Sequence, residues 1–311
     1  MKVFVLAPRE DWICDRLASE WKKEYNNFVT ENIEDANVLW LLAGWCWNHI
    51  HPNILATKKV VLTVHHIVPE KFDQRKYQEF VFRDQFVDLY HVPNLKTEQL
   101  LKQLTSKPIK VLSYWLNDEL WYQVDKKEAR KRLGISEDYF CISSIQRDTE
   151  GYDLKTPKLE KGPDLFCDYV ITNKAKFKNL HVLLGGWRRQ YVQSRLDNAK
   201  IPYTLLEKQP IEKVRDMYAA SDLYIVSSRQ EGGPQAVIEC AAMKIPIIST
   251  DVGISKNILS KDSVFDITQK FYMPTEEDVK INFENVKKIN LKSYGKKFIN
   301  LFNSLIGDVE L

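Results

Sequence analysis

The chain has 311 residues, of which 44% are hydrophobic and 28% are charged, and its formal net charge is +3. This length is enough for two domains with separate hydrophobic cores, the composition is that of a globular protein, and the small net charge argues against strong binding to nucleic acid. The five cysteines are scattered and lack metal-site spacing, so we expect buried thiols in a reducing compartment and not a disulfide framework.

Neither secretion nor membrane insertion is indicated by the sequence. The N-terminal stretch MKVFVLAPRED carries one lysine and an apolar run that is too short for a signal peptide. The most apolar segment, 38–47, has about half the length needed to span a bilayer. A cytoplasmic protein is therefore expected.

Short apolar runs alternate with polar helical segments through the first part of the chain. The loop after the first run lacks the G-x-G-x-x-G pattern, which argues against a dinucleotide-binding dehydrogenase. Buried runs that alternate with helices are typical of a parallel α/β layer. We predict a doubly wound domain over residues 1–122, with strands at 2–7, 38–42, 60–64, 87–91 and 109–112.

Two stretches of this first domain carry side chains suited to chemistry. His65 and His66 follow a predicted strand, at the edge where open α/β sheets bind ligands; the alternative for His65 is a buried imidazole bonded to the backbone. Trp45 and Trp47, in the segment GWCWNHIH, suit a sugar acceptor site through stacking and hydrogen bonding. The alternatives for this segment are ordinary packing or a metal site, although its His and Cys spacing does not match zinc sites.

The same alternation continues in the second part of the chain. Residues 125–133 are charged and helical, and suit a bridge between domains. A final amphipathic segment, 276–305, is predicted to be helical. We predict a second domain over 123–290, followed by a terminal helix over 291–311, with the strands of the second domain at 140–145, 181–184, 203–206, 223–226 and 245–249.

A glycine pair follows one of these strands. Gly185 and Gly186 fit a turn from strand to helix that approaches a ligand closely. Arg188 and Arg189 come directly afterwards, where they reach a phosphate or are simply solvated residues early in a helix. The sequence leaves both alternatives open.

The most informative stretch is SSRQEGGPQAVIECAAMKIPIISTDVG, residues 227–253. Gly232 and Gly233 have no side chain, so another group can approach their backbone. Pro234 suits the first position of a helix, because its missing N–H would have no partner there. The start of such a helix carries partial positive charge and favours phosphate.

Two carboxylates bracket this helix start. Glu231 lies in the loop and Glu239 lies one turn into the predicted helix, with its side chain directed back toward the N-terminus. An ionised carboxylate accepts hydrogen bonds from hydroxyl groups, so the arrangement suits a ligand with phosphate in the middle and diols at both ends. A nucleotide sugar has this chemistry. The alternative is that both are surface acids favoured near a helix start.

The spacing of Glu231 and Glu239, followed by KIPIISTDVG, resembles the donor-site signature of retaining GT-B glycosyltransferases, glycosyltransferase family 4 (glycosyl transferases group 1). The resemblance implies two doubly wound Rossmann-like domains with a cleft between them, and a terminal helix that crosses back onto the first domain. It implies a nucleotide-diphosphate sugar as donor and a carbohydrate or lipid-linked acceptor. No metal, no cofactor and no nucleic acid are expected, and a weak peripheral membrane contact stays open.

The resemblance also implies roles for individual residues. Arg147 and Lys161 match the pair that binds the donor diphosphate. A diphosphate needs cations, and arginine offers it forked contacts while lysine offers a point charge. His65 matches the histidine near the reacting sugar, Glu231 would hold sugar hydroxyls and Glu239 the ribose. The remaining predicted donor-binding residues are Gly186, Arg188, Gly232, Gly233 and Pro234.

The implied reaction is sugar transfer in which cations and the helix start stabilise the departing diphosphate. No residue stands out as a covalent nucleophile, so front-face attack with retention is expected, and no Asp-x-Asp is present.

Two features depart from the family pattern. Residues 114–117 read YWLN where the family often has a glycine, and the loop 148–160 is longer and more charged than usual. Three alternatives stay open for that loop: a lid, a contact with the acceptor, or an ordinary surface loop.

Two other classes of protein stay open. A glycoside hydrolase would use Glu231 and Glu239 as acid and base, but would have no use for the two cations. A non-catalytic sugar-nucleotide-binding protein is the second, and the retained Glu, Arg and Lys set argues against it.

Overall fold

The structure of the protein is a computed structural model that describes residues 1–307. Its internal contacts divide the chain into two compact units. Unit 1 comprises Met1–Asn117 together with the segment that begins at Ile289, and unit 2 comprises Asp118–Lys288. The boundaries predicted from the sequence fall after residues 122 and 290, and residues 308–311 of the predicted terminal segment lie outside the described residues.

Both units consist of parallel strands joined by helices. The strands in the described residues are β1 (Val3–Leu6), β2 (Val38–Leu41), β3 (Lys59–Thr63), β4 (Leu89–Val92), β5 (Ile109–Val111), β6 (Phe140–Arg147), β7 (Leu180–Trp187), β8 (Tyr203–Glu207), β9 (Leu223–Val226) and β10 (Ile247–Ser249). The helices there are α1 (Ile13–Glu24), α2 (Pro52–Leu55), α3 (Gln74–Asp84), α4 (Leu95–Leu101), α5 (Lys126–Leu133), α6 (Pro163–Asn173), α7 (Gln190–Asn198), α8 (Ile211–Ala219), α9 (Gln235–Ala242), α10 (Ser255–Ile258), α11 (Glu276–Lys287), α12 (Leu291–Tyr294) and α13 (Lys296–Ile306).

The sheet of unit 1 has the strand order β1-β2-β3-β4-β5, and all of its pairs are parallel. On one side Val3 of β1 pairs with Val38 of β2, and on the other it forms an isolated parallel bridge with Val29. The chain therefore leaves β1 through α1 toward one side and continues from β2 toward the other. This reversal is what allows helices to cover both faces of the sheet.

The side chains of β2 show both covered faces. Trp40 packs against Trp21 of α1 and Phe298 of α13, with ring centroids 5.3 and 5.1 Å apart. Leu39 points to the opposite face, because side chains alternate along a strand, and it belongs to a core that includes Phe80 of α3. Unit 1 is thus doubly wound, and the C-terminal helix α13 forms part of its core.

Strand β6 lies at the centre of the unit 2 sheet, whose order is β10-β9-β6-β7-β8. The chain leaves β6 toward β7 and β8 and then returns to pair β9 with its other side, so the winding reverses at β6. Phe166 of α6 shares a core with Ile225 of β9, whereas Tyr218 of α8 packs against Tyr224, which points to the opposite face of the sheet. Ligands of such sheets bind outside the carboxyl ends of the strands at the reversal, here β6 and β9.

The predicted fold class, two doubly wound α/β domains, is confirmed by these two sheets. The long terminal helix predicted over 276–305 is wrong in detail, since it is three separate helices, α11, α12 and α13. The break has a physical cause: Leu116 donates to the Ile289 carbonyl and accepts from the Leu291 amide, both at 2.8 Å, so the backbone there is paired and extended. The side chain of Asn290 then caps α12.

Within residues 1–307, no helix is both long enough and apolar enough to cross a bilayer. All five cysteines are buried free thiols, as the sequence predicts.

Candidate active site

Two loops of unit 2 run side by side at the carboxyl ends of β6 and β9. The loop after β6 ends in a short 3-10 turn, Leu159–Lys161, and the loop after β9 begins at Ser227. The amides of Arg229 and Gln230 both donate to the carbonyl of Glu160, at 2.8 and 3.0 Å. These bonds hold the two loops together at the edge where the winding of the sheet reverses.

Gly162 makes the close approach of the two loops feasible. Its backbone is left-handed, with φ of +59°, and a Cβ atom at this position would overlap the carbonyl oxygen of Ser227. A residue other than glycine would therefore be strained and would push the second loop away. Helix α6 begins directly afterwards with Pro163 at its first position.

Lys161 and Glu231 meet across these loops. The ammonium of Lys161 forms a salt bridge with Oε1 of Glu231, and the hydroxyl of Ser228 donates to the same oxygen at 3.3 Å. The two side chains are 21% and 16% exposed, so the pair is anchored but remains accessible to a ligand. Two residues that the sequence singled out separately thus form one group.

Arg147, the last residue of β6, lies close to the same loop. Its Nε donates to the carbonyl of Thr149 at 3.1 Å, and the side-chain amide of the preceding residue, Gln146, donates to the carbonyl of Lys161 at 3.2 Å. The backbones that carry Arg147 and Lys161 are therefore tied together beside the ends of β6 and β9.

Three cationic side chains lie around the exposed indole of Trp187. Trp187, the last residue of β7, is 40% exposed, and its ring centroid lies 5.3 Å from the guanidinium carbon of Arg147, 5.6 Å from that of Arg188 and 4.7 Å from Nζ of Lys208. The sequence did not predict that these cations surround Trp187, because their proximity depends on the register that pairs Arg147 with Trp187. Such contacts attract cations to the ring face.

The glycine pair of β7 has a different role from the predicted one. Gly185 and Gly186 lie within the strand, opposite Ile145 and Gln146 of β6, and not in a turn from strand to helix. A Cβ atom on Gly186, whose φ is +95°, would overlap the backbone of Gln146. The glycine is thus explained by packing between strands, and its contact with a donor stays a prediction.

The two arginines that follow have separate environments, and the expectation that both stand early in a helix is wrong, since α7 begins at Gln190. Arg188 has a left-handed backbone and donates from Nη2 to the carbonyl of Gly151. Arg189 is fully buried and pairs with Asp148 at 2.8 Å. Burial raises the pKa of Asp148, while the Arg189 guanidinium opposes that effect. Arg189 is therefore neither solvated nor exposed to a ligand.

The charged loop 148–160 is an ordered hairpin. Thr149 and Pro157 form an antiparallel bridge, and the Lys158 amide donates to the Asp148 carbonyl at 2.8 Å. Asp153 closes the turn by accepting three hydrogen bonds from Lys155 and Thr156, and these bonds lower its pKa. Tyr152 is fully exposed at the tip. The hairpin thus connects the strand end that carries Arg147 to the turn that carries Lys161.

The start of α9 differs by one position from the prediction. Pro234 is the N-cap residue with an extended backbone, φ −61° and ψ 108°, and α9 begins at Gln235. Among the described residues no side chain caps this start. Gly253 packs closely behind the loop: a Cβ there would lie 2.7 Å from the Gly232 carbonyl oxygen. Gly232, Gly233 and Pro234 therefore form a compact turn that is supported by the loop after β10.

Glu239 lies inside unit 2 and not at its surface. Its side chain is buried, and the hydroxyl of Tyr218, also buried, donates to its Oε2 at 2.6 Å. Burial, with the adjacent Glu239 charge, holds the pKa of Tyr218 well above its usual range. Sequence reasoning missed Tyr218, since nothing in the local pattern of α8 identifies a partner on α9.

The imidazole of His65 in unit 1 contacts the carbonyl of Leu42, the hydroxyl of Tyr114 and, at 3.2 Å from Nε2, the Sγ of Cys14. Its Nε2 lies 2.6 Å from the carbonyl of Leu42, which can only accept, so this nitrogen carries the proton; the hydroxyl of Tyr114 then donates to Nδ1. The bond to Leu42 agrees with the alternative of a histidine bonded to the backbone. The predicted catalytic role of His65 stays a prediction.

The predicted acceptor residues lie at one edge of the unit 1 sheet. Trp45 and Trp47 follow β2, His66 follows β3, and these parallel strands are neighbours. The ring of Trp45 is half exposed, whereas Trp47 packs against Phe82 with ring centroids 5.4 Å apart. Trp45 is therefore the more accessible of the two indoles. Among residues 1–307, no group of three or more His, Cys, Asp or Glu side chains is arranged to hold a metal ion.

Comparison with known proteins supports one class. Residues 154–276 match the family Glycosyl transferases group 1. The chain is 42% identical over 52 residues to the putative teichuronic acid biosynthesis glycosyltransferase TuaC of Bacillus subtilis, covering 17% of this chain and 13% of that protein. It is 24% identical over 146 residues to the lipopolysaccharide core biosynthesis mannosyltransferase LpsB of Rhizobium meliloti, covering 45% of this chain and 39% of that protein. The chain spans less than half the length of these curated relatives.

The fold has close counterparts among solved structures. The crystal structure of Anabaena Alr3699/HepE in complex with UDP-glucose matches with a TM-score of 0.75 at 12% identity, covering 97% of this chain and 99% of that one. At this identity the likeness concerns the fold alone, which is that of the GT-B class. The matched family segment includes Lys161, Glu231 and Glu239. Together these comparisons support the prediction of a glycosyltransferase.

Proposed function

We propose that the chain is a retaining glycosyltransferase that moves a sugar from a nucleotide-diphosphate sugar to a hydroxyl acceptor without a metal ion. The observation that carries this proposal is the salt bridge between Lys161 and Glu231 at the carboxyl ends of β6 and β9. A ligand bound there meets a cation for phosphate and a carboxylate for hydroxyl groups, which is the chemistry of a nucleotide sugar. The family match of residues 154–276 supports the same reading.

The donor diphosphate is bound by Arg147, by Lys161 and by the start of α9. Arg147 offers a fork of N–H donors and Lys161 a point charge, and both stabilise the negative charge that develops on the departing diphosphate. Glu231 accepts hydrogen bonds from hydroxyls of the transferred sugar, and Lys161 keeps that carboxylate oriented. Glu239 binds the ribose hydroxyls.

Transfer is a front-face displacement at the anomeric carbon. The acceptor hydroxyl forms the new carbon–oxygen bond on the face from which the diphosphate leaves, and its proton passes to the departing diphosphate oxygen. The bond between the anomeric carbon and that oxygen breaks with its electron pair on the phosphate. The anomeric configuration is therefore retained.

The acceptor is a carbohydrate or a lipid-linked glycan that binds unit 1. Trp45, exposed at the edge of the unit 1 sheet, offers a face for sugar stacking, and His65 lies at the same edge. The names of TuaC and LpsB refer to teichuronic acid biosynthesis and to lipopolysaccharide core biosynthesis, which supports this class of acceptor. The five buried free thiols suit a cytoplasmic location, and a weak peripheral membrane contact remains part of the prediction.

The test is release of nucleoside diphosphate from a panel of nucleotide sugars, with UDP-glucose first because HepE was crystallised with it. We expect one donor to stabilise the protein, by about 2.7 kcal/mol at roughly one hundred times its dissociation constant, and its turnover to rise with a glycan acceptor. A product with the donor's anomeric configuration supports retention, and an inverted product contradicts it. Release of sugar from an unactivated glycoside would favour a hydrolase, and binding without turnover would favour a non-catalytic protein.

A further inference from the structure

A buried hydrogen bond joins α8 to α9 behind the proposed donor site. The hydroxyl of Tyr218 donates to Oε2 of Glu239 at 2.6 Å, and the two residues are 2% and 3% exposed. A bond of this length from a neutral donor to an ionised carboxylate is among the stronger hydrogen bonds in proteins. It determines where one oxygen of Glu239 lies.

The ring of Tyr218 is itself held in place. Trp121 packs against it edge-on with ring centroids 5.7 Å apart, and Tyr224 packs on it at 5.3 Å. With the pKa of its phenol held well above the usual range, Tyr218 stays protonated at all ordinary pH values. It therefore acts as a permanent donor to Glu239.

Stability does not explain why this pair is present. Burying an ionised carboxylate costs free energy, and well-packed apolar side chains of similar volume are often at least as stable. Glu239 also lies in the second turn of α9, so its side chain leans back toward the helix start at Gln235. A buried carboxylate in this position is explained if it binds hydroxyl groups of a ligand at that helix start.

We propose that Tyr218 is a positioning residue that orients Glu239 for the ribose diol of the donor. This inference rests on the proposed function, in which Glu239 binds the ribose. Loss of the Tyr218 hydroxyl removes one of the bonds that orient the carboxylate, so hydrogen bonds to the diol lose part of their geometry. Contacts to the diphosphate, which come from Arg147 and Lys161, are unaffected.

The test compares each nucleoside diphosphate with its 2′,3′-dideoxy form by calorimetric titration. The probes are UDP, GDP and ADP, and the tightest is used with its dideoxy analogue. In Tyr218→Phe we expect the dissociation constant of the diol form to rise about tenfold, the size expected for a hydrogen bond to a charged group. The dissociation constant of the dideoxy form should change less than about twofold, because no diol contact is left to lose.

Tyr224→Phe is the matched control. Tyr224 is as buried as Tyr218, but its hydroxyl accepts from the amide of Ile145 at 2.9 Å and does not reach Glu239 at hydrogen-bond distance. Substitution of Tyr224 should weaken the binding of the diol and dideoxy forms equally or not at all. Thermal unfolding of both variants shows whether they are folded to the same extent.

The outcomes separate this inference from the proposed function. Equal weakening of the two ligand forms in Tyr218→Phe, or an effect no larger than in Tyr224→Phe, would overturn the positioning role while leaving donor binding intact. Glu239→Gln is measured in parallel. If it leaves the preference for the diol unchanged, or if the wild type shows no such preference, the ribose role of Glu239 fails and the inference fails with it. Binding of none of the three nucleotides would contradict the proposed function itself.

Discussion

Lys161 and Glu231 stand 70 residues apart in the sequence, yet their charged groups form a salt bridge. Each is supplied by a different loop, and the two loops are joined by hydrogen bonds from residues 229 and 230 to the carbonyl of Glu160. The salt bridge pairs these two charges. In the proposed function, a nucleotide sugar contacts Lys161 through phosphate and Glu231 through hydroxyl groups.

Removal of the Lys161 charge is expected to weaken binding of phosphate specifically. For Lys161→Met we expect the dissociation constant of the preferred nucleoside diphosphate to rise about tenfold or more, as for loss of a hydrogen bond to a charged group. Binding of the corresponding nucleoside should not change. Calorimetric titration of both ligands provides the measurement.

The control for this substitution is Lys280→Met. Lys280 lies 3.6 Å from Glu277 on the exposed surface of α11, so its loss removes the same charge away from the two loops of the site. An equal loss of nucleoside and nucleoside diphosphate binding in Lys161→Met would show that the effect is structural and not one of phosphate recognition.

Gly162→Ala is expected to displace the loop that carries Glu231. Both the left-handed backbone and the overlap with Ser227 oppose a Cβ at this position, so we expect a loss of about 3 kcal/mol or more in the free energy of unfolding and a large loss of transfer activity. Gly134→Ala is the control, since Gly134 has a similar φ of +67° but open space around it. It should cost only about 1–2 kcal/mol. Urea unfolding measures both, and equal costs would refute the steric explanation.

The buried pair of Arg189 and Asp148 is expected to stabilise the fold at the end of β6. Loss of one partner leaves an uncompensated charge, so Arg189→Met should lower the free energy of unfolding by about 3–5 kcal/mol. Arg195 pairs with Asp168 at 2.7 Å in a more exposed setting, so Arg195→Met should cost about 1 kcal/mol or less. Chemical unfolding of the two variants tests the difference, and a small cost for Arg189→Met would contradict the assigned structural role.

The buried imidazole of His91 is expected to make the free energy of unfolding of unit 1 depend on pH. Burial lowers the pKa of His91 to about 4, despite the hydrogen bond that its Nε2 donates to Leu112. Between about pH 6.5 and pH 4 the unfolded chain binds a proton that the folded imidazole does not, so the free energy of unfolding falls as the pH falls, by about 3 kcal/mol in all.

The measurement is urea unfolding followed by tryptophan fluorescence from pH 4.5 to pH 7.5. Six of the eight tryptophans lie in unit 1, so the signal reports mainly on that unit. His91→Gln should remove most of this pH dependence relative to the wild type. Parallel curves for the two proteins would show that other groups are responsible.

Chelation is expected to leave transfer unchanged. In the proposed function, Arg147 and Lys161 supply the positive charge that a divalent ion would otherwise provide to the departing diphosphate. Activity with EDTA should therefore stay within about twofold of activity with Mg²⁺ or Mn²⁺ added. Abolition by EDTA and recovery with one of these ions would refute the metal-independent part of the proposal.

Much of the fold could be predicted from local patterns. Strand β9 has the predicted bounds, and most other strands differ by only a few residues, because a strand buried on both faces is a continuous apolar run. The prediction was less accurate for residues 276–305, where an amphipathic pattern continues across a break. That break results from pairing with Leu116, a residue far away in the sequence.

By itself, the sequence determined the two-domain α/β class and the residue types of a donor site, since apolar periodicity and the Glu, Gly and Pro spacing are local properties. The tertiary structure decided which of those side chains meet and which are buried. Lys161 meets Glu231, Arg189 turns inward to Asp148, and Trp187 collects cations only because strands from distant parts of the chain align in one register. Burial and charge pairing depend on such long-range packing, which no local pattern encodes.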